Sequence, residues 1–414
     1  MYKKRLFTKT LMATAVMLAS QQSLAAGFQL NSQSATGLGR AFAGDAVIAD
    51  NASVMSRNAA AMTLFNAPAM SLGLNVIDTD IEVKNARYST PYGSSSLDDA
   101  QIGDRSYVPN LYYVHPVNNK LALGAGIYSN FGTKTEFSSS YAANEFGGLT
   151  DVKSLNLALN AAYRLNNQWS VGGGLDIIYG QGKLQRSNQT LEGLVQQQTG
   201  VAGPLLDVDV DGTAVGFNLG TVYELNDANR FGLSYHYSPE LKAEGDIYAQ
   251  TAGGKLNGQS LLMPLPDMVE FSGFHQLNSQ FAVHYSVQWI EWSSFDALKT
   301  NKGVTLNDYQ WQDGWHYAIG GTYTVNSDWT LRAGYMYDTS AQDKKTSISV
   351  PDSDRQWFSG GFSYNLNSKS TLDVGLTYLM GEDIAATEQT TATSINATTR
   401  ADALLYGVQY SRSF

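Results

Sequence analysis

Residues 155–179 read LNLALNAAYRLNNQWSVGGGLDIIY and contain an alternating stretch, a tight turn and a second strand-like run. Side chains of a β-strand point alternately to its two faces. Here one face is apolar and the other is small or polar, which is typical of a strand between lipid and a lumen, although a soluble sandwich also alternates. The first face carries Leu155, Leu157, Leu159, Ala161 and Tyr163, and the second carries Asn156, Ala158, Asn160 and Ala162.

The turn in this stretch belongs to a series that recurs along the chain. Asparagine tolerates the left-handed backbone of tight hairpins, so each member predicts one hairpin. Six hairpins make twelve strands, and one run before the first turn and one after the last bring the total to 14, an even number as in bacterial single-chain barrels. The turns are Val117-Asn118-Asn119, Leu165-Asn166-Asn167, Leu225-Asn226-Asp227, Leu277-Asn278-Ser279, Val325-Asn326-Ser327 and Leu366-Asn367-Ser368.

The predicted fold is therefore all-β, a 14-stranded antiparallel transmembrane β-barrel. Stretches rich in Gly, Ser, Thr, Asp and Gln separate the turns, and we expect 186–211 and 245–264 to be long extracellular loops. Near the C-terminus, Leu404, Tyr406, Val408 and Tyr410 alternate up to a terminal Phe414. This resembles the signal that the barrel assembly machinery of the outer membrane reads, and it favours a barrel over a sandwich.

The first residues have the pattern of an export signal. Basic residues precede an apolar run at 11–19, and Ser23-Leu24-Ala25 supplies the small residues that a signal peptidase needs. The run is too short for a membrane-spanning helix, which needs about 20 apolar residues. We interpret 1–25 as a signal peptide. Residues 26–67 show no sustained alternation and are predicted to form an N-terminal hatch that plugs the lumen, and 68–414 to form the transmembrane β-barrel.

The composition supports a barrel wall. The chain has 39 Gly, 24 Tyr, 16 Phe and 7 Trp but only 15% charged residues, which suits strands that end in aromatic girdles. It has no cysteine, which excludes disulfides and thiol chemistry, and no run of 18 apolar residues follows the signal segment. The net charge of −10 gives no support to nucleic-acid binding.

The sequence gives little support to catalysis. The five histidines stand singly without metal-ligand spacing, and GLGRAF at 37–42 departs from the dinucleotide-binding fingerprint at its sixth position. Ser234 and His236 are candidates for part of a hydrolase triad; the alternative is that both are ordinary strand residues. We therefore predict that the protein is not an enzyme and uses no metal or other cofactor.

Several short strings together resemble the FadL family of outer-membrane long-chain fatty acid transporters. The resemblance spans essentially the whole chain after the signal segment, and the N-terminal strings are the hardest to obtain by chance. The strings are GFQLN at 27–31, GLGRA at 37–41, IAD at 48–50, SRN at 56–58, YSNFG at 128–132, TEF at 135–137, YRLNN at 163–167, LP at 265–266, SG at 272–273 and PDSDRQW at 351–357.

The resemblance implies a path for greasy ligands through a plugged barrel. Family members bind the ligand first in an apolar groove between outer loops and then in a pocket inside the barrel. Phe28 matches the hatch aromatic of that pocket, and Arg186 matches its basic residue, whose guanidinium suits a carboxylate. Without the resemblance, Arg186 reads as a strand-end arginine. The groove residues would be Leu191, Leu194, Val195, Leu261, Leu262 and Met263, which could equally be loop residues that pack on one another.

The family also has a kink in its third strand that opens a lateral exit. Ser129, Asn130, Phe131 and Gly132 match the kink, and a glycine in a strand favours a bend. In the hatch, the matched string ends in Arg57 and Asn58.

The sequence departs from the family pattern at two places. A second basic pocket residue is replaced by Asn307, which puts carboxylate selectivity in question unless Lys299 or Lys302 reaches in. Ala59 stands where the hatch commonly has proline, so the turn there loses a fixed dihedral angle.

We therefore predict passive, ligand-gated uptake of long-chain fatty acids across the outer membrane of a Gram-negative bacterium, with lateral exit into the membrane. The alternative is import of aromatic hydrocarbons or other small hydrophobic compounds by the same route. A general porin and a barrel hydrolase are alternatives of other classes. Expected partners are the hydrophobic ligand, outer-membrane lipid and lipopolysaccharide, and the assembly machinery; we expect a monomer.

Overall fold

A computed structural model describes residues 27–414, and the predicted signal peptide lies outside the described residues. Fourteen strands form the wall, and the predicted 14-stranded barrel is confirmed. The strands are β1 (Ala69–Thr90), β2 (Arg105–Pro116), β3 (Leu121–Tyr128 and Gly132–Glu136), β4 (Leu149–Arg164), β5 (Trp169–Arg186), β6 (Leu206–Asn226), β7 (Asn229–Tyr237 and Leu241–Ala249), β8 (Met268–Gln276), β9 (Phe281–Ile290), β10 (Gly314–Thr324), β11 (Trp329–Asp338), β12 (Arg355–Asn367), β13 (Ser370–Met380 and Ile384–Gln389) and β14 (Ser394–Ser413).

Each wall strand pairs antiparallel with its neighbours in sequence, and β1 pairs with β14 from Ala69↔Ser413 to Ser89↔Ser394, which closes the sheet. Closure pairs the first strand with the last, as a spanning β-structure requires. The remaining elements are the helices α1 (Ala35–Leu38) and α2 (Gln189–Thr199), the 3-10 turns Ala52–Ser56, Ala59–Leu64, Gln250–Ala252 and Trp292–Ser294, and the short strands Gly93–Ser96, Ala100–Gln101, Gly254–Lys255, Leu261–Met263, Ala297–Thr300 and Thr305–Asp308.

All six predicted asparagine turns join wall strands, but the physical reason given for them was wrong. The non-glycine residues with positive φ within 27–414 are Ala41, Phe42, Asn85 and Gln310, and none is a turn asparagine. The asparagine side chain instead accepts backbone N–H bonds two and three residues ahead, as Asn166 does from Gln168 (2.8 Å) and Trp169 (2.9 Å). This is an Asx turn, in which the amide replaces a backbone acceptor.

The two predicted long loops are shorter than expected. Strand β6 begins at Leu206 and β7 continues to Ala249, so both predicted loops overlap strand residues. The stretch LDVDVDG was mistaken for loop because of its aspartates. Its valines are buried while Asp207 and Asp209 are exposed, so it alternates like any other strand.

The predicted alternation is present in β4 from Leu157 to Tyr163, whereas Leu155, predicted on the outer face, is buried. Leu159 is 50% exposed on the outer surface, whereas Asn156 and Asn160 are buried inside. Neighbouring strands expose Leu175 and Val215 in the same band, as expected of a surface that faces lipid. Across residues 27–414, the structure contains no helix of sufficient length and apolar character to span a membrane.

Residues 27–62 are almost entirely buried, and they pack against the inner face of the wall. Close approach depends on wall glycines: a Cβ at Gly334 would lie 2.1 Å from the carbonyl oxygen of Arg40, and one at Gly375 would lie 2.2 Å from that of Ala35. Any side chain there would displace the segment. We call residues 27–67 the hatch; its domain limits remain a prediction, and the first wall strand begins at Ala69.

Candidate functional site

The third strand is interrupted at the positions predicted for the kink. Its lower part ends at the pair Tyr128↔Asn156 and its upper part begins at Gly132↔Lys153, so three residues of β3 oppose two of β4. Such a bulge bends a strand. The β2–β3 pairing stops at Leu111↔Ile127, so the outer half of β2 lacks pairing with β3 within the described chain. We call this gap the lateral opening.

The first described residues of the hatch run along the interrupted strand. The backbone N–H of Leu30 donates to Asn130 O (2.7 Å), and that of Gly132 donates to Phe28 O (2.8 Å). Gln33 reinforces this contact, because its Nε2 donates to Asn130 Oδ1 (3.0 Å) and to Leu30 O (2.7 Å). The hatch therefore forms one antiparallel bridge, Gln29↔Phe131, at the kink.

The Phe28 side chain lies in an aromatic cluster above this contact. Its ring centroid is 4.6 Å from that of Trp292, 5.1 Å from Phe295 and 5.8 Å from Trp311. The adjoining apolar cavity has a volume of about 20 Å³, room for roughly one water molecule, so a larger ligand must displace side chains. The cavity, here called the aromatic pocket, is lined by Phe28, Thr133, Thr150, Val152, Leu184, Leu261, Met263, Phe295, Leu298, Tyr309, Trp311 and Val350.

Arg186 lies next to Thr150, which lines this pocket, but is not itself a lining residue. It ends β5 and is 8% exposed. Its guanidinium donates to Leu149 O (2.7 Å), Gln185 O (2.9 Å) and Thr150 Oγ1 (2.9 Å), and all three acceptors are uncharged. Since Thr150 lines the pocket, a ligand carboxylate in place of its hydroxyl would reach the guanidinium.

The hydroxyl of Tyr309 and the carboxyl of Glu388, in the outer hairpin of β13 and β14, are the acidic groups that act electrostatically on Arg186. Desolvation raises the pKa of Glu388 to about 7, against the opposing effects of a backbone hydrogen bond from Ile348 and of attraction to Arg186. The Ile348 N–H donates to its carboxyl oxygen at 2.6 Å. Near neutral pH, Glu388 therefore supplies only part of a counter-charge to Arg186.

The structure separates the residues predicted for one outer groove. Leu261 and Met263 line the aromatic pocket, and the adjacent Leu262 is only half-buried. Leu191 and Leu194 line a different, outer cavity of about 640 Å³. Val195, on the same helix, is half-buried outside the lining of either cavity.

The substitutes considered for a second basic residue do not reach the pocket. Lys299 and Lys302 are exposed, and Asn307 is half-buried on a short outer strand. Ala59 occupies the first position of a 3-10 turn whose N-cap is Asn58.

Sequence reasoning missed the aromatic residues that meet Phe28. Trp292, Phe295 and Trp311 were counted only in the aromatic composition of the chain, and all three are buried. The string WIEWSSF at 289–295 was the available signal. Tryptophans three residues apart in a strand lie on opposite faces, so Trp289 and Trp292 could not both belong to a lipid-facing girdle. Pro109 was a second signal, since proline within a strand marks an edge, and the lateral opening begins beside it.

The hydrolase reading finds no support in the geometry of its two residues. His236 Nε2 hydrogen bonds to the carbonyl oxygen of Arg57 at 3.0 Å, and Ser234 Oγ has no hydrogen-bond partner within residues 27–414. Over the same range no three His, Asp or Glu side chains cluster in a way that could hold a metal ion.

Arg57 and Asn58 attach the hatch to the wall. Arg57 forms an ion pair with Glu270 of β8 at 3.4 Å and also donates to the side chain of Asn31 at 3.0 Å. Asn58 Nδ2 donates to Ala46 O (2.8 Å) and to Thr221 O of β6 (3.0 Å), and its Oδ1 caps the turn that follows. One amide thus ties two hatch segments to the barrel.

We expect Asn58→Ala to loosen the hatch. Loss of the cap and of two buried hydrogen bonds should cost about 2 kcal/mol of docking free energy, which raises the undocked population roughly 30-fold. Planar-bilayer recordings should show more frequent openings to small ions. The matched control is Asn226→Ala in an exposed turn, which should leave the recordings unchanged; equal behaviour of both variants would contradict the prediction.

Comparison with known proteins agrees with this architecture. Residues 16–414 match the family model described as "Outer membrane protein transport protein (OMPP1/FadL/TodX)". The chain is 37% identical to the "Long-chain fatty acid transport protein" of Escherichia coli (strain K12), covering 94% of this chain and 95% of that protein. It is 36% identical to "Outer membrane protein P1" of Haemophilus influenzae (strain ATCC 51907 / DSM 11121 / KW20 / Rd), covering 99% of each.

Solved structures with low sequence identity share the fold. A Pseudomonas aeruginosa FadL homologue superimposes with a TM-score of 0.83 at 21% identity, covering 94% of this chain and 100% of that one. The Pseudomonas putida toluene transporter TodX gives a TM-score of 0.68 at 19% identity, with the same coverage. The protein is an outer-membrane β-barrel of a Gram-negative bacterium, and it belongs to the outer membrane protein transport family, OMPP1/FadL/TodX.

Proposed function

We propose that this protein carries long-chain fatty acids across the outer membrane by passive, ligand-gated diffusion and releases them sideways into the membrane. The observation that carries the proposal is the double position of Phe28. Its side chain belongs to the aromatic pocket, while its carbonyl oxygen accepts a hydrogen bond from Gly132 at the lateral opening. A ligand that displaces the ring pulls on the contact that covers the opening, so binding and release are coupled.

The path begins at the outer surface. Leu191 and Leu194 offer apolar side chains in the outer cavity, where a ligand can leave water. From there it moves to the aromatic pocket, whose apolar lining takes the tail while Arg186 takes the carboxylate. The lateral opening at residues 129–132 then leads to lipid. Relatives named "Long-chain fatty acid transport protein" support this ligand class.

The second candidate function is import of aromatic hydrocarbons by the same path. It is favoured by the aromatic lining of the pocket and by Asn307 in place of a second base. A hydrocarbon has no carboxylate with which Arg186 could pair. The two functions therefore differ in whether a ligand carboxylate contributes to the binding affinity.

Equilibrium binding to the purified barrel tests the proposal. We expect a long-chain fatty acid to bind more tightly than its methyl ester and than toluene, because only the acid can pair with Arg186. Lys299→Ala, which removes an exposed cation of the outer loops, should leave the order unchanged. Equal affinity for all three ligands would support the hydrocarbon function and contradict ours.

The ionisation of Glu388 should make anion binding depend on pH. Above its pKa of about 7, Glu388 is charged and competes for Arg186, so affinity for an anionic head group should fall severalfold as the pH rises through this value. An alkyl sulfonate, whose head stays ionised, isolates the effect. Glu388→Gln should give a flat profile; the wild-type slope persisting in that variant would exclude this residue as the cause.

The other partners are proposals of the same kind. The exposed apolar band would contact outer-membrane lipid and lipopolysaccharide, and the terminal Phe414 would serve the barrel assembly machinery. The family is one of transport proteins. We propose that this chain catalyses no reaction and works as a monomer.

A further inference from the structure

A group of polar side chains lies on the two edges of the lateral opening, outside the lining of the aromatic pocket. Ser106 and Asn110 belong to the outer half of β2, beyond the last pair with β3. Ser129 lies at the break in β3. Their exposed fractions are 0%, 2% and 0%, respectively, so all three side chains point away from the lipid surface.

Four polar atoms of this group have no hydrogen-bond partner among residues 27–414. They are Ser106 Oγ, Asn110 Oδ1, Asn110 Nδ2 and Ser129 Oγ. Buried polar atoms in proteins are nearly always paired, because an unpaired one costs free energy. Four such atoms on the edges of the lateral opening can therefore take hydrogen bonds from a ligand.

Neighbours on the same inner face behave differently. Asn75 Nδ2 donates to Ser32 O at 2.7 Å, and the Tyr112 hydroxyl donates to Gln33 O at 2.9 Å. Both bonds hold the hatch. Asn110 lies between these residues in the sheet, since it pairs with Gly73 of β1, yet its amide makes no such bond. Single unpaired atoms also occur elsewhere on the inner face, as at Asn75 Oδ1 and Asn156 Oδ1. Among the asparagine and glutamine side chains of residues 27–414, however, only Asn110 has both its oxygen and its nitrogen buried without a hydrogen-bond partner.

We propose that Ser106, Asn110 and Ser129 form a transient site for the carboxyl head group of an amphipathic ligand as it leaves through the lateral opening. The inference rests on the proposed function and adds a second head-group site to it. The amide offers donors and an acceptor, and each hydroxyl can act as either, so the site suits a carboxylate and a carboxylic acid alike. The tail enters lipid first while the head remains hydrogen-bonded.

The site would lower the barrier between Arg186 and the membrane surface. A head group that left the guanidinium directly for hydrocarbon would lose all its hydrogen bonds at once, which is strongly unfavourable. Asn110 and the two serines are neutral, so they hold the head group without the strong attraction that would trap it. A ligand without a polar head gains nothing from them.

Asn110→Leu tests the inference, because it keeps the branched skeleton of the side chain and removes the polar amide. Initial uptake of a long-chain fatty acid by cells that express the variant should fall about tenfold, equivalent to ~1.4 kcal/mol. Toluene uptake, and acid affinity of the purified barrel, should stay within about twofold of wild type, a range that is small beside that tenfold effect. The double variant Ser106→Ala/Ser129→Ala, which changes volume little, should slow acid uptake in the same selective way and serves if Asn110→Leu fails to fold.

The outcomes separate this inference from the proposed function. Equal slowing of acid and toluene would show that these residues only shape the opening, and unchanged acid uptake in both variants would show that they do not touch the head group; either result overturns the inference. Wild-type protein that took up toluene but no fatty acid would contradict the proposed function, and the head-group site would fall with it.

Discussion

A disulfide between positions 29 and 131 should reduce fatty acid uptake to the level of cells that lack the protein. Gln29 of the hatch and Phe131, in the interruption of β3, form an antiparallel bridge. The two hydrogen bonds beside it are made by the neighbouring residues, so Gln29 and Phe131 are a non-hydrogen-bonded pair. In such pairs the Cα atoms are about 4.5 Å apart, within the range that a disulfide spans. The bond would fix the hatch over the lateral opening.

The experiment is clean because the chain contains no cysteine of its own. Uptake by the Gln29→Cys/Phe131→Cys variant would be measured after oxidation and again after reduction, which should restore it to the level of the reduced variant. Leu123→Cys/Ala161→Cys links two wall strands at a paired position and should have no effect. Undiminished uptake by the fully oxidised hatch variant would mean that the ligand leaves without movement of residues 27–31.

Arg186→Ala should lower the affinity for a long-chain fatty acid by about 30- to 140-fold, while the affinity for its methyl ester changes little. A charge-assisted hydrogen bond to a carboxylate contributes about 2–3 kcal/mol, and each 1.4 kcal/mol is a factor of ten. Its guanidinium now donates only to uncharged acceptors, so a carboxylate in place of the Thr150 hydroxyl is a better partner.

One further variant and a test of folding serve as controls for this measurement. Arg186→Lys keeps the charge but loses the forked geometry, so acid affinity should be intermediate. Because Arg186 also donates to Leu149 O, heat-modifiable migration on gels would first establish that each variant is a folded barrel. An equal loss for acid and ester would mean that Arg186 supports the pocket wall without binding the carboxylate.

Local sequence was sufficient for the wall. The strand alternation depends only on the two-residue period of β-structure, and the turn at Asn166 depends on an amide that bonds within three residues. The number of strands followed from counting such turns. Asp207 and Asp209 were wrongly predicted as loop residues because acidic composition suggested a loop, although the two-residue period of a strand is present there.

The aromatic pocket was only partly accessible to such reasoning. Phe28 and Arg186 were found through a family resemblance, and the structure places Arg186 next to pocket-lining Thr150. Trp292 and Trp311 stand more than 260 residues from Phe28 in the chain, and no local pattern states that they meet it. Their meeting depends on barrel closure and on outer segments that fold inward.

By itself, the sequence determined an exported 14-stranded barrel with short asparagine turns and a distinct N-terminal segment, since these properties are set within a few residues or by simple counting. Only the tertiary structure decided which residues line the aromatic pocket, that the hatch pairs with β3 at Phe131, and that Asn110 lies unpaired at the lateral opening. The physical reason is that these contacts join segments far apart in sequence, which closure of the sheet brings together.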